Sequence, residues 1–422
     1  MLLVELAKAA KFLKEVGRSR SIKVITHYDA DGICSGAILA KALWREDYNF
    51  ELHVVKQLTK SFISKLSGVE NSVIIFTDLG SGQLPFLKEI LEKNCTIVLD
   101  HHQPFQLSHP NLIHVNAELF NERFASGSIL TYLFAKFLNE RNADLVDLAI
   151  VGAVGDSIDE KWELKGISRK VLEEGVRLNK IWVTKGLRIY GRTTRPIHKA
   201  LALSIDPYIP GISGSESNAV QLLAELGIKV KENGRWRYLR DLSVEEQRRL
   251  ASAIIVERLK HKFIKPEDVF GEIYIIKDRH DELSDAREFA TLINACSRLG
   301  RHDVSLKLCN SKEPSKEARE LIKEYRKRLS EYLRWVEKNL GNEEVVVSNN
   351  NCTFIFGHDK VPDTMIGTLV SMLTTSNLFD SKLIVGFARS EDGIKVSARA
   401  REANLNVRNI CLLYTSDAAD DG

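Results

Sequence analysis

The stretch Thr96-Ile97-Val98-Leu99-Asp100-His101-His102 joins an apolar run to an abruptly polar end, and Gln103-Pro104 follows at once. The apolar part is typical of a short buried strand. The polar part places one carboxylate and two imidazoles at the end of that strand, where burial costs free energy unless each group finds a partner. A metal ion or a phosphate is a suitable partner, although a polar turn that happens to hold two histidines also explains this triplet taken alone.

Polar residues end other elements of the first half of the chain in the same way. The predicted strand Ile22–Thr26 runs into His27-Tyr28-Asp29-Ala30-Asp31-Gly32, and the predicted strand Ser72–Thr77 runs into Asp78. An apolar helix predicted over residues 143–154 ends in Gly155-Asp156. Helical spacing between the strands predicts an α/β domain with a mostly parallel sheet. Because ligands bind beyond the carboxyl ends of such strands, these polar residues are expected to share one site.

Bulk composition indicates an ordinary globular protein of two or three domains. The chain has 422 residues, of which 44% are hydrophobic and 28% are charged. Its net charge of +3 creates no global field for nucleic acid, so any anion site must be local. Six scattered cysteines without a C-x-x-C pair argue against structural zinc and against a disulfide framework. With no signal peptide or membrane-spanning run in view, we expect a cytoplasmic protein that does not bind a membrane.

The polar residues that end these elements form a set of ligands rich in oxygen. The set is His27, Asp29, Asp31, Asp78, Asp100, His101, His102 and Asp156. Carboxylates with a minority of imidazoles suit Mn²⁺ or Mg²⁺ better than zinc. Asp29 and Asp31 can serve neighbouring ions that Asp78 bridges, and two such ions are typical of phosphoryl transfer. The alternative is that Asp29 and Asp31 only cap the following helix.

The segments His27–Gly32, Thr77-Asp78, Asp100–His102 and Gly155-Asp156 resemble, in order and spacing, the four motifs of the DHH phosphoesterase superfamily. The chain most resembles the archaeal RecJ-like single-strand exonucleases, including those that associate with the GINS replication complex. The further segments that resemble this subgroup are Arg195–Lys199, Asp206–Gly214 and Arg287–Arg298. The resemblance implies a mostly parallel five-stranded DHH domain with flanking helices, a helical connector, and a smaller mixed α/β DHHA1-like domain across a cleft.

The resemblance also implies a role for each member of the set. His27, Asp29 and Asp78 would hold one Mn²⁺ or Mg²⁺ ion. The second ion would be held by Asp31, Asp78, His101 and Asp156, with Asp78 shared. The remaining two residues would be catalytic: Asp100 would orient a ligand from behind, and His102 would touch the scissile phosphate or protonate the leaving oxygen.

Substrate-binding residues are implied in both halves of the chain: Ser126, Gly127, Asn294, Arg298, Ser397 and Arg399. Arg298 and Asn294 lie four residues apart on one predicted helix, and Arg399 belongs to a predicted strand. Each arginine could bind a substrate phosphate. The simpler alternative for Arg399 is an ordinary surface residue, and the same alternative applies to the helix pair.

We predict four segments: a DHH domain over residues 1–185, a turn-rich helical connector over 186–262, a DHHA1-like domain over 263–410, and a disordered or non-native tail over 411–422. Within the third segment, Val304–Leu308 is predicted as a strand, Ser315–Leu340 as a long helix, and Leu383–Ala388 with Ile394–Arg399 as a hairpin. The Gly-Gly-Gly-His type loop of DHHA1 domains is missing, so we expect a C-terminally truncated chain with a weakened grip on substrate.

Three functions compete at this point. The first is a metal-dependent exonuclease that hydrolyses single-stranded DNA or RNA to mononucleotides during replication or repair. The second is a nanoRNase or another small-nucleotide phosphoesterase, which the low net charge permits. The third is a replication scaffold that binds GINS without catalysis, although every implied metal ligand is present here. Neither the polarity of digestion nor the preference for DNA or RNA can be deduced from these residues.

Overall fold

A computed structural model describes residues 1–204, 207–261, 266, 268–376, 378–391 and 393–401. The chain divides into two compact units, Met1–Arg319 and Glu320–Gly422, here called the first and second units. Within the described ranges, no helix combines the length and the apolar character that crossing a membrane requires.

The described chain contains the following strands: β1 Ser21–His27, β2 Phe50–Val55, β3 Ser72–Thr77, β4 Cys95–Asp100, β5 Leu112–Asn116, β6 Ile181–Leu187, β7 Lys231–Glu232, β8 Arg235–Trp236, β9 Phe270–Ile276, β10 Val346–Ser348, β11 Cys352–Phe356, β12 Leu383–Ser390 and β13 Gly393–Ala400. Its α-helices are α1 Leu2–Val16, α2 Ala30–Arg45, α3 Lys60–Ser67, α4 Lys88–Lys93, α5 Gly127–Leu138, α6 Val146–Gly155, α7 Gly166–Arg177, α8 Ile197–Ala202, α9 Glu216–Glu225, α10 Val244–Lys260, α11 Ala286–Arg298, α12 His302–Asn310, α13 Lys316–Lys338 and α14 Asp363–Thr375.

A five-stranded parallel sheet organises the first unit, in the order β2-β1-β3-β4-β5. Every residue of β3 and β4 is buried, because helices cover both faces of the sheet and leave only apolar runs stable at its centre. One face packs on α3 and α4 through Ile25, Ile74 and Phe76. The other face lies under α1, α2 and α5. The predicted α/β class with a mostly parallel five-stranded sheet is therefore confirmed.

Two details of the first unit differ from the sequence prediction. The strand β5 lies between β4 and α5, where the sequence pattern predicts no strand. The strand predicted over Val304–Leu308 is wrong, since these residues belong to α12. Val304 and Leu308 are four residues apart and both are buried on one face of that helix, so the short apolar run has a helical period.

The predicted connector contains a hydrophobic core of its own. Helices α8, α9 and α10 pack around Ile197, Leu201, Leu223, Leu250 and Ile254, all of which are fully buried. A capping box starts α10: Ser243 Oγ accepts from the Glu246 amide, and the Glu246 carboxylate accepts from the Ser243 amide.

The first unit extends beyond residue 263, where we placed the start of the second domain. Strand β9 pairs antiparallel with β6, and α11 packs on α2 and α6. A buried ion pair joins Arg287 of α11 to Asp159, with 2.5 Å between nitrogen and oxygen. These long-range contacts group α11 and α12 with the five-stranded parallel sheet. The boundary between the two compact units therefore follows Arg319, later than the boundary predicted at residue 263.

The second unit contains a four-stranded mixed sheet in the order β10-β11-β12-β13, with α14 packed on β12 and β13. The pair β11–β12 is parallel, and the other two pairs are antiparallel. The predicted hairpin is confirmed, although Asp392 of its turn lies outside the described residues. The predicted tail over residues 411–422 also lies outside them.

Candidate metal centre

The polar residues predicted to form one site come together at the carboxyl edge of the parallel sheet. His27 is the last residue of β1, and Asp100 is the last residue of β4. Asp78 directly follows β3, and Asp156 directly follows α6. The sheet brings these positions together because the ends of parallel neighbours lie at the same edge.

Three overlapping groups of side chains could each hold a metal ion. The groups are His27, Asp29 and Asp78; Asp31, His101 and Asp156; and Asp78, His101 and His102. His27 Nδ1 lies 3.0 Å from Asp29 Oδ2 and 3.5 Å from Asp78 Oδ2. His101 Nε2 lies 3.2 Å from Asp78 Oδ1, 3.4 Å from Asp156 Oδ2 and 3.9 Å from Asp31 Oδ2.

Asp78 occupies the centre of these groups and is the least satisfied member. Its side chain is 1% exposed, and among the described residues neither of its carboxylate oxygens has a hydrogen-bond partner. Its backbone has φ +61°, a left-handed conformation that costs free energy in a residue other than glycine. Buried oxygens without partners, in a set of carboxylates and imidazoles, fit a divalent cation that prefers oxygen ligands.

The protonation of the site reflects its crowded acidic groups. Burial raises the pKa of Asp78 well above its usual value, and the charges of Asp31 and Asp29 add to the effect. Burial and the charge of Asp31 also raise the pKa of Asp156 to about 8. Burial works against protonation of His27, but the combined interactions with Asp29 and Asp78 outweigh it and raise that pKa well above its usual value.

The raised pKa of Asp156 predicts a pH dependence of stability in the absence of metal. Between the usual pKa near 4 and the folded value of about 8, the folded chain binds more protons than the unfolded chain. The free energy of unfolding therefore falls as the pH rises through that window. Urea unfolding in EDTA at about pH 5 and about pH 8 should show a smaller fall in Asp156→Asn than in the wild type.

Asp144→Asn is the matched control for this measurement. Asp144 forms an ion pair with Arg45 at the surface. Burial opposes ionisation of Asp144, but its hydrogen bond to Arg45 and the nearby positive charges together outweigh burial and lower its pKa. Its contribution is therefore constant between about pH 5 and about pH 8. An equal fall in the wild type and in Asp156→Asn would contradict the assignment.

Asp29 and Asp31 have different local roles. Asp29 caps α2, because its Oδ1 accepts from the Gly32 amide at 3.0 Å, so this residue combines the predicted helix cap with its place in a candidate ligand group. Its Oδ2 faces His27. The carboxylate of Asp31 instead accepts from the amides of Gly127 at 2.6 Å and Ser128 at 3.1 Å. The amino end of α5 therefore stabilises the buried charge of Asp31.

Ser126 and Gly127, predicted to bind substrate, lie at the amino end of α5, next to Asp31. Both are buried, and Ser126 Oγ accepts from the Ile129 amide as the cap of α5. The amide of Gly127 is already used by Asp31. These contacts give both residues a structural role in holding a candidate metal ligand, and their predicted contact with a substrate stays a prediction.

Gly127 allows α5 to approach Asp78 closely. A Cβ at this position would lie 2.6 Å from the Asp78 Cβ and 2.9 Å from its Cα. We expect Gly127→Ala to lower the free energy of unfolding by about 1–3 kcal/mol, as overpacking does, in a urea titration. The control is Gly341→Ala, whose Cβ would meet no described atom within 4 Å. Equal free energies of unfolding for the two variants would contradict the prediction and show that the residues around Gly127 accommodate a methyl group.

Asp100 supports the two histidines that follow it. Its Oδ1 accepts from the amides of His101 at 2.8 Å and His102 at 3.1 Å, and it lies 2.8 Å from His102 Nδ1. Its Oδ2 accepts from the Ser81 amide at 2.9 Å. Burial works against protonation of His102, but the bond to Asp100 together with the charges of Asp100 and Asp78 outweighs it and raises the pKa of His102 to about 9. Its side chain is 53% exposed.

Sequence reasoning missed three residues that support this turn. Asn116 Nδ2 donates to the His102 carbonyl at 2.7 Å and to Ser81 Oγ at 2.8 Å. Ser81 Oγ also lies 2.8 Å from His114 Nε2. Both His114 and Asn116 belong to β5, the strand that was not predicted. The sequence did offer a signal for Asn116: it is the polar residue that ends the short apolar segment Leu112–Asn116.

The remaining predicted substrate-binding residues occupy two places. Asn294 Oδ1 accepts from the Ala30 amide at 3.0 Å, so this side chain holds the start of α2. Arg298 lies near Asp29, whose pKa is lowered. Burial opposes this shift of the Asp29 pKa, but the charge and hydrogen bond of His27, the Gly32 amide and the charge of Arg298 together outweigh it. Ser397, which is buried, and Arg399, which is exposed, lie on β13 of the second unit, and their roles stay predictions.

Comparison with known proteins gives matches along most of the chain. The model of the DHH family, N-terminal domain, matches residues 21–153, and that of the DHH-CID domain matches residues 189–268. The uncharacterized protein MJ0831 of Methanocaldococcus jannaschii is 31% identical over 418 residues, which cover 96% of this chain and 87% of that protein. The single-stranded-DNA-specific exonuclease RecJ of Thermus thermophilus is 29% identical over 235 residues, which cover 52% of this chain and only 35% of RecJ.

Solved structures share the fold at low sequence identity. The crystal structure of Thermus thermophilus RecJ in complex with Mn²⁺ has a TM-score of 0.52 at 19% identity, over 91% of this chain and 46% of that one. The crystal structure of CDC45 from Entamoeba histolytica has a TM-score of 0.66 at 13% identity, over 92% of this chain and 86% of that one. With its DHH segment, its near full-length relative and this fold, the chain belongs to the DHH family as a RecJ-like member, in a family of phosphoesterases and nucleases.

Proposed function

We propose that this protein is a metal-dependent phosphodiesterase that acts as a single-strand-specific exonuclease on DNA or RNA and releases mononucleotides. One observation supports the proposal above the others. Asp78 is buried, lacks hydrogen-bond partners among the described residues, and belongs to two of the three candidate ligand groups. A shared carboxylate of this kind suits two neighbouring divalent cations, which is the arrangement used for phosphodiester hydrolysis.

We assign the ligands to two Mn²⁺ or Mg²⁺ sites. His27, Asp29 and Asp78 would form the first, and the second would consist of Asp31, Asp78, His101 and Asp156. When bound, such cations supply Lewis-acid stabilisation of charge on the phosphate and on the attacking nucleophile. The α5 amides that hold Asp31 and the Asp29 cap of α2 keep the ligands in place before a cation binds.

His102 would act on the substrate directly. Asp100 holds its Nδ1 side, and the exposed remainder of the ring is open to a phosphate oxygen or to the leaving oxygen. A pKa of about 9 keeps the imidazole protonated near neutral pH, so it can donate a proton or a charged hydrogen bond. The predicted roles of Asp100 as support and of His102 as donor are compatible with these contacts.

Substrate length and strandedness test the proposal. We expect purified protein with Mn²⁺ to digest an end-labelled single-stranded 20-mer to mononucleotides, to spare the matching duplex, and to be inactive in EDTA. Labels at opposite ends of the strand report the polarity of digestion. Separate assays on DNA and RNA strands of the same sequence report the sugar preference. Faster turnover of a dinucleotide than of the 20-mer would contradict the exonuclease and favour the small-nucleotide phosphoesterase.

Association with the GINS complex stays a separate proposal. It is supported by the resemblance of the chain to the GINS-associated subgroup. A pull-down of GINS by the wild type and equally by Asp78→Asn would support a binding role that does not need the metal centre. Retention of no GINS by either protein would contradict it.

A further inference from the structure

Beside the candidate metal centre, two aromatic rings that the metal site does not use lie next to a ligand. The ring of Tyr28 meets that of His27 edge to face, with 4.9 Å between centroids. The ring of His302 also meets that of Tyr28 edge to face, with 6.3 Å between centroids. Both Tyr28 and His302 are half-buried rather than sealed in the core. The result is a short aromatic row that begins at a candidate ligand.

The row is held from two directions within the first unit. Tyr28 stands between His27 and Asp29, so the end of β1 and the cap of α2 restrict it. His302 is the first residue of α12, and its Nδ1 lies 3.1 Å from Ser297 Oγ, which orients the ring. Burial and the charge of Lys56 lower the pKa of His302, so the ring is a neutral imidazole near pH 7.

Two cations flank this row. Lys56 follows β2, and the register pairs Val55 with His27, which sets Lys56 at the same sheet edge as Tyr28. Arg298 lies at the end of α11 near Asp29. With a net charge of only +3, the chain has no global field to attract a polyanion, so such local cations are the means available.

Aromatic faces together with flanking cations are the combination that binds single strands. Stacking depends on the π-face that every base has, and the cations meet the backbone phosphates. A duplex hides those faces within its own stack. The alternative is that Tyr28 and His302 only pack α12 against the end of β1, in which case a bound strand would gain nothing from them.

We propose that Tyr28 and His302 form a stacking platform for the nucleobase next to the scissile phosphate of a single strand, with Lys56 and Arg298 beside its phosphates. This inference rests on the proposed function and deepens it. It makes base stacking, rather than recognition of base edges, the source of substrate affinity at this position. Single-strand preference and tolerance of sequence follow from the same contacts.

Abasic substrates test the platform. The probes are a fluorescein-labelled dT 20-mer and the same strand with tetrahydrofuran abasic units in its last three positions at the end that is digested. If the polarity is unknown, two abasic strands are used, one with the abasic units at its 5′ end and the other with them at its 3′ end. For the wild type, we expect the KM of the abasic strand to exceed that of the dT strand by on the order of tenfold. The Kd, measured with Ca²⁺ in place of Mn²⁺, should differ between the two strands by a similar factor.

The variants separate stacking from packing. Tyr28→Ala and His302→Ala should lose the difference between the two strands, while Tyr28→Phe and His302→Phe should keep it. All four variants should keep the Mn²⁺-induced rise in Tm, which shows that the candidate metal ligands still bind the ion. Trp44→Ala is the control: Trp44 is 72% exposed near the other end of α2, about 20 Å along the helix axis.

The outcomes distinguish the two proposals. An unchanged ratio between the strands in both alanine variants would overturn the platform, and so would an equal loss with both strands accompanied by loss of the Mn²⁺ response. Base-dependent binding without any hydrolysis by the wild type would overturn the exonuclease and leave the platform supported. Hydrolysis that is indifferent to the missing bases would overturn the platform alone.

Discussion

Asp78→Asn is expected to abolish Mn²⁺-dependent hydrolysis and at the same time to raise the Tm of the metal-free protein. Asp78 belongs to two ligand groups, and even residues behind a metal ligand typically cost about 10–100-fold in affinity or activity when replaced. We therefore expect a loss of more than about 100-fold in kcat/KM. The Tm should rise because the buried carboxylate, close to Asp29 and Asp31, is replaced by a neutral amide.

Thermal unfolding in EDTA and in Mn²⁺, with activity measured on the same preparations, checks this prediction. Mn²⁺ should raise the Tm of the wild type and leave that of Asp78→Asn nearly unchanged, since a ligand stabilises only the folded chain that binds it. Asp144→Asn serves again as the control and should respond to Mn²⁺ as the wild type does. Full hydrolysis by Asp78→Asn would rule out this metal centre.

His102→Ala should have the second largest effect, through a different step. The side chain is held by Asp100 and is more than half exposed, which suits contact with a substrate better than burial in a metal shell. Loss of a positioned proton donor typically lowers rates about 10²–10⁴-fold, so we expect kcat to fall by that range. The Mn²⁺-induced rise in Tm should be retained.

The decisive comparison for His102 is between kcat and the Mn²⁺ response. His102 Nδ1 lies 3.9 Å from Asp78 Oδ1, and the residue belongs to the third ligand group, so a ligand role is the competing explanation. Loss of the Mn²⁺-induced rise in Tm would favour that role and contradict the assignment as donor. His53→Ala, which removes a partly exposed histidine of β2, is the control and should leave both measurements unchanged.

Local patterns were sufficient to predict the α/β class and the set of candidate ligands. An apolar run such as Ile74–Thr77 that stops at an acid reports both a buried strand and the end of that strand. Since parallel neighbours end at one edge, the positions of His27, Asp78 and Asp100 could be brought together without coordinates. Asp156 was included because it ends an apolar helix, and the four-motif resemblance then supported its place in the set.

Other predictions failed where short segments carry an ambiguous signal. Val304–Leu308 contains too few apolar residues to separate a strand from a helix, and burial against α11 decided for the helix. The strand β5 was missed, and with it Asn116 and its bonds to Ser81 and His102. The motif also did not reveal that the amino end of α5, with Ser126 and Gly127, lies against Asp31.

The identity of the acids and histidines at the sheet edge was therefore determined locally, because each one follows its own strand or helix in the chain. The tertiary structure alone decided which of them lie within ligand distance of one another, that Asp78 has no hydrogen-bond partner among the described residues, and that α11 and α12 bring Arg298 and His302 to the edge. The reason is physical: these properties depend on distances between residues far apart in sequence, and such distances are set by packing rather than by local pattern.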